Sequence, residues 1–178
     1  MKQKTKPIAF GGVLSGLAVV LMFLTGIFPF AEYNLPAMAG ALLIVMVIEY
    51  GYRNALLCFF SVAVLSLLIG PNKEAAVLFA GFFGYYPILK GILEKLKQRQ
   101  VEWLLKLSVF NAAVAISYFV IIRLFGITEV PEDFGAFGKW GTAAFWLAGN
   151  GVFILYDIVL TRFIGIYYSY FKPRFFKK

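Results

Sequence analysis

The chain has no histidine, one cysteine and only nine acidic residues among 178. Without histidine it lacks the commonest general base and metal ligand. The single cysteine, Cys58, excludes intrachain disulfides. It has no Walker A sequence, no cluster with metal-ligand spacing and no paired carboxylates at a useful distance, so no catalytic constellation is present and no cofactor is implied. No internal repeat is evident, which argues against an inverted-repeat transporter. Charged residues make up only 15% of the chain, where a soluble domain carries about 25%. That leaves no room for a separate soluble domain.

Apolar residues fill the space instead, at 61%, of which aromatics are 19% of the chain. Ile8 to Phe28 runs without a charge. About 20 residues at 1.5 Å each cross a bilayer core, so this run is read as a membrane span. It is too long for a cleavable signal and lacks the small-residue cleavage pattern. The expected fold is all-α: a compact bundle of six transmembrane helices in one domain. Its spans are read near 8–28, 36–52, 54–70, 74–93, 104–125 and 141–163. Tyr50 to Asn54 and Gly70 to Lys73 read as tight turns. Leu93 to Lys106 reads as an amphipathic connector at the interface. Gly126 to Gly141, with Pro131, is the longest loop, and Pro87 is expected to kink the fourth span from within.

The net charge of +8 would suit nucleic acid, but its distribution suits membrane topology. With the N-terminus inside, 14 of the 17 basic residues are cytoplasmic, and only Lys73, Arg123 and Lys139 lie at the outer side. Both termini are then inside, as the positive-inside rule requires. Glu32, Glu74, Glu129, Glu132 and Asp133 make the outer face acidic.

Several residues are candidates for function. Gly12-x-x-x-Gly16 and Gly11-x-x-x-Ser15 form a small-residue strip on the first helix, suited to close helix approach within the chain or to a separate subunit. Pro29 to Pro36 is a restricted outer loop carrying Glu32, Tyr33 and Asn34, either as a rigid connector or as the wall of an outward-facing site. Asn72, Lys73 and Arg123 add polar groups at the same face; Arg123 either snorkels to headgroups or faces an anionic ligand group. Glu49, Lys90, Asn111, Asn150 and Asp157 lie inside spans, where polar groups are expensive. Asn150 reads as the floor of a site or as half of an interhelical hydrogen bond. Asp157 is expected to find its partner on another helix, at Arg53 or Lys90.

Span count, the Gly12-x-x-x-Gly16 helix with Ala9 and Ser15, and the stretch Leu35-Pro36-Ala37-Met38-Ala39-Gly40 give the chain its resemblance to a known family. It resembles the substrate-binding (S) components of energy-coupling factor transporters. That resemblance implies a membrane subunit that captures a vitamin or metal from outside, then topples to deliver it. It also implies a transmembrane coupling subunit and two ATPases as partners. The family docks through Ala-x-x-x-Ala, where this chain has Gly12, Ser15 and Gly16. Its ligand would lie under loops that map to Glu32–Asn34, Asn72–Glu74 and Glu129–Lys139. Without histidine, a small organic solute is expected rather than a metal ion. The alternative is a non-transporting membrane scaffold like the small cell-shape protein of the rod-elongation machinery, which has a related span layout.

Overall fold

The computed structural model describes residues 2–125 and 138–175, and every regular element among them is helical. Five stretches are long and apolar enough to cross a membrane: Thr5–Leu24, Tyr52–Ile69, Lys73–Leu93, Arg99–Arg123 and Trp146–Arg174. Helical structure is what such sequences must adopt in lipid, since no water is there to satisfy backbone groups. The chain divides into two units, Met1–Lys106 and Leu107–Lys178.

The first unit holds α1 (Lys2–Leu24), α2 (Asn34–Tyr50), α3 (Tyr52–Ile69), α4 (Lys73–Leu78) and α5 (Tyr86–Leu93). It ends with the first turns of α6 (Arg99–Phe125). At 17 residues and about 26 Å, α2 is apolar but shorter than the five spanning stretches. It is nonetheless the core element, burying Pro36, Ala39, Gly40, Leu43, Ile44, Val45 and Met46. α1 turns a single stripe inward, Gly11, Leu14, Ala18 and Met22 with Thr25 just beyond it, against α2 and α3. α3 does the same with Ala55, Cys58, Phe59, Val62, Ala63 and Ser66. These spacings of three and four residues are the contact face of a helix.

Small residues set how closely the helices approach. A Cβ on Gly40 would lie 1.9 Å from the Phe83 carbonyl oxygen, so α2 touches the backbone at Phe83 directly. A Cβ on Gly11 would stand 3.0 Å from the Cys58 sulfur, whose thiol donates weakly to the Gly11 carbonyl at 3.7 Å. Gly51, at φ 83°, is the only residue between α2 and α3, and its N–H caps Val47 at 3.0 Å. An L side chain is strained there, so the predicted tight turn falls on this glycine.

Four expectations need correction in detail. The second span ends at Tyr50 rather than 52, because Gly51 leaves the helical region. The fourth span is not kinked from within by Pro87. It is interrupted earlier, by a π turn over Phe79–Phe83, and Pro87 sits in the first turn of α5, where its missing N–H leaves no broken bond. Val101 to Lys106 is no separate connector but the start of α6, after a bend at Glu94–Gln98. The last helix also outruns its predicted span. In the second unit, α7 (Gly138–Ile166) continues through a π turn at Tyr167–Phe171 into α8 (Lys172–Phe175). Most of the long loop, with Glu129, Pro131, Glu132 and Asp133, lies outside the described residues.

Candidate functional site

At one end of the first unit, α1 stops where the Thr25 hydroxyl donates to the Met22 carbonyl at 2.6 Å. The chain then turns through a short helical turn at Pro29–Ala31 into α2. The turn between α3 and α4 closes over the same end. A Cβ on Gly26 would lie 2.5 Å from the Pro71 ring, so only glycine admits this contact.

Asn72 ties the two turns together. Its carbonyl oxygen accepts the Ala75 N–H at 2.9 Å as the cap of α4, while its amide donates to the Glu32 carboxylate at 2.8 Å. A capping residue held this way has both ends of its amide assigned, which fixes its orientation. Lys73 extends back to α3, donating to the Leu67 and Leu68 carbonyls at 2.9 and 3.3 Å. A cation over the last carbonyls of a helix is favoured by their partial negative charge. Tyr33 stands between Glu32 and α2. Desolvation, then the charges of Glu32 and Glu74, push its phenol above the usual range. At physiological pH the phenol is a neutral donor. Asn34 opens α2 with its side chain exposed.

Five of the predicted site residues, Glu32, Tyr33, Asn34, Asn72 and Lys73, therefore gather at one end from two turns 40 residues apart in sequence. Ser66, on the last turn of α3, was not singled out by its sequence. It is fully buried, and its hydroxyl has no hydrogen-bond partner among the described residues. A lone hydroxyl in an apolar run gives no signal of its own, since it usually bonds back to its own helix.

Arg123 and Asn150 belong to the second unit. Arg123 is exposed, with its guanidinium 5.6 Å from the Phe119 ring one turn back. Asn150 and Asn111 exchange two amide hydrogen bonds, at 2.9 and 3.2 Å, and each also donates to its own helix, at Trp146 and Leu107. Phe110 and Phe153 stack beside them at 4.7 Å. Of the two readings of Asn150, the interhelical hydrogen bond accounts for its amide.

A second polar cluster lies at the α5–α6 bend. Lys90, fully buried, pairs with Glu94; Lys106, also buried, lies 3.2 Å from Glu94 and 2.8 Å from Glu102. Trp103 offers its ring face to Lys106 at 5.1 Å. Lys90 thus has a partner four residues along its own chain. Tyr52 donates to the Gly91 carbonyl at 2.9 Å and so holds α3 to the end of α5.

The small-residue strip of α1 divides. Gly11 is used inside the unit, whereas a Cβ on Gly12 or Gly16 would meet nothing within 4 Å. Ser15 is half-buried between them. Compared with known proteins, the chain matches no family model, no curated protein and no solved structure.

Proposed function

We propose that this chain is the substrate-capture subunit of an energy-coupling factor type importer, and that it binds a small, vitamin-like organic solute on the outer face of the cell membrane. The observation that carries this reading is the Glu32–Asn72 hydrogen bond, which gathers polar groups from two turns at one end of the first unit. Small-molecule sites are built from a few convergent polar groups set in apolar surroundings. Glu32 supplies a carboxylate acceptor and Tyr33 a neutral donor, while Asn72 holds the two turns together. Lys73 serves the frame, holding the end of α3. Arg123 and Asn150 are left out of this site, because their polar ends serve a neighbouring ring and a paired amide.

In this reading α2 is the sixth span, short because the protein buries it. Both termini are cytoplasmic, which sets the Glu32 end outside and the Lys90–Glu94–Lys106 cluster inside, in keeping with the basic-residue asymmetry. Gly12 and Gly16 then form the face on which a transmembrane coupling subunit docks, with two ATPases supplying the energy that this chain has no residues to supply. The test is a panel of vitamins and related solutes scored by thermal shift of the detergent-purified protein. A ligand at 100 times its Kd stabilises by about 2.7 kcal/mol. One solute raising the Tm of the wild type but not of Glu32→Ala supports the proposal. A solute that stabilises both equally binds elsewhere and overturns the site.

A further inference from the structure

The end of the last helix carries a feature that solute capture does not use. From Ile158 to Lys178 the sequence has five basic residues, Arg162, Lys172, Arg174, Lys177 and Lys178, and no acidic one. Aromatic residues are interleaved with them. α7 alone has 29 residues, about 43 Å of helix, while the hydrocarbon core of a bilayer is about 30 Å thick. Counting about 20 residues from the start of the predicted span at Gly141 brings the core boundary to Arg162. On that count the helical chain beyond it, through the π turn and α8, emerges at headgroup level.

Its side chains suit that depth. Tyr168, Tyr170 and Phe171 are 49%, 73% and 51% exposed. Tyrosine rings of this kind collect at the membrane–water boundary, apolar body down and hydroxyl up. The Lys172 ammonium lies 4.9 Å over the Tyr168 ring, which holds the charge beside the aromatic layer. Arg174 is exposed and, with Ser169, Tyr170 and Pro173, lines an open depression on this surface. A planar guanidinium with a neighbouring hydroxyl is the donor set that takes a phosphate.

We propose that the segment from Tyr167 to Arg174 is a lipid-binding surface that selects anionic phospholipid headgroups in the leaflet it meets. The occupant follows from charge complementarity and depth. The segment carries Lys172 and Arg174 and no acidic residue, exposed aromatic rings lie beside them, and a negatively charged headgroup at that depth complements it. Nothing in this assignment depends on the transport reading.

Photo-crosslinking of the full-length protein tests it. Benzoylphenylalanine replaces Tyr170, and the protein is reconstituted in vesicles with equal phosphatidylglycerol and phosphatidylcholine. Each basic residue near an anionic surface favours it by roughly fivefold. The crosslinked lipid should therefore be phosphatidylglycerol by about fivefold or more, and the preference should fall as salt is raised to about 1 M. Lys172→Gln with Arg174→Gln should bring the ratio close to one, while Lys97→Gln leaves it unchanged. Equal labelling of both lipids by the starting protein overturns the proposal. So does a preference that survives the double substitution, or one that Lys97→Gln abolishes equally. Crosslinking to an added RNA oligonucleotide in place of either lipid assigns the surface to nucleic acid and overturns it as well.

Discussion

Gly40 and Gly12 lie on adjacent helices and have opposite environments. A methyl group on Gly40 would fall on the Phe83 carbonyl, and both partners there are backbone, so neither can turn aside. Gly40→Ala is expected to destabilise by about 1–3 kcal/mol, as overpacking does. Gly12→Ala should cost nothing. Thermal unfolding of both variants in detergent reads the contrast. Equal behaviour would mean that α2 and the Phe83 backbone are not in contact. At this scale the sequence signals residue type but not role. Gly11, Gly12 and Gly16 read alike as one strip, yet only Gly11 is used inside the unit. The reason is that the lipid side of a helix is as apolar as its protein side. α1 carries almost no amphipathic bias, so its contact face is not marked. The charged cluster was hidden differently. Lys90/Glu94 and Glu102/Lys106 are each four apart and readable as pairs, but the Lys106–Glu94 contact needs the bend at 94–98 to bring α6 back on α5. Glu94→Gln removes a shared counter-charge from two buried lysines. Breaking a fully buried pair costs about 3–5 kcal/mol; with the Glu94 side chain 34% exposed, about 2 kcal/mol is expected. Adding Lys90→Met to that variant should recover part of the loss in the same unfolding assay.

Elements were legible where composition alone decides them. The tight turns at Gly51 and at Gly70–Pro71, and five stretches of spanning length, follow from glycine, proline and uninterrupted apolar runs. The π turn at Phe79–Phe83 was not legible. Pro87 drew attention to the wrong turn of the helix, since a proline near a break marks the start of the next segment as readily as a kink. In the second unit, α6 and α7 are joined through Asn111 and Asn150. Interhelical amide pairs in membranes contribute about 0.6 kcal/mol on average and at most about 1.7. A double-mutant cycle of Asn111→Val and Asn150→Val, followed by unfolding in micelles, should return a coupling energy in that interval. A coupling of zero would mean that the two amides are satisfied separately by their own helices.

For the whole molecule, the arrangement of Lys and Arg and the gathering of Glu32, Tyr33, Asn34, Asn72 and Lys73 at one end lead to the same proposal, a membrane subunit open to solute from outside. Its topology is checked by cysteine labelling in a Cys58→Ser background, with single cysteines placed at Lys4, Glu132 and Lys177. An impermeant reagent applied to intact cells should label only position 132. The part of the site that was readable is the part built from turns, where polar residues stand out against apolar runs. The hydrogen bond that unites those turns was not readable, because it links residues 40 apart.

Native mass spectrometry of the detergent-purified protein tests the central claim most directly. The account predicts one small organic molecule retained per chain. Retention should fall by about tenfold or more in affinity for Glu32→Ala, which removes a part-buried charged hydrogen-bonding partner. Asn72→Ala should weaken it as well, and Arg123→Ala should leave it as in the wild type. A wild-type spectrum holding only the bare chain and lipid adducts, from cells supplied with vitamins, would contradict it.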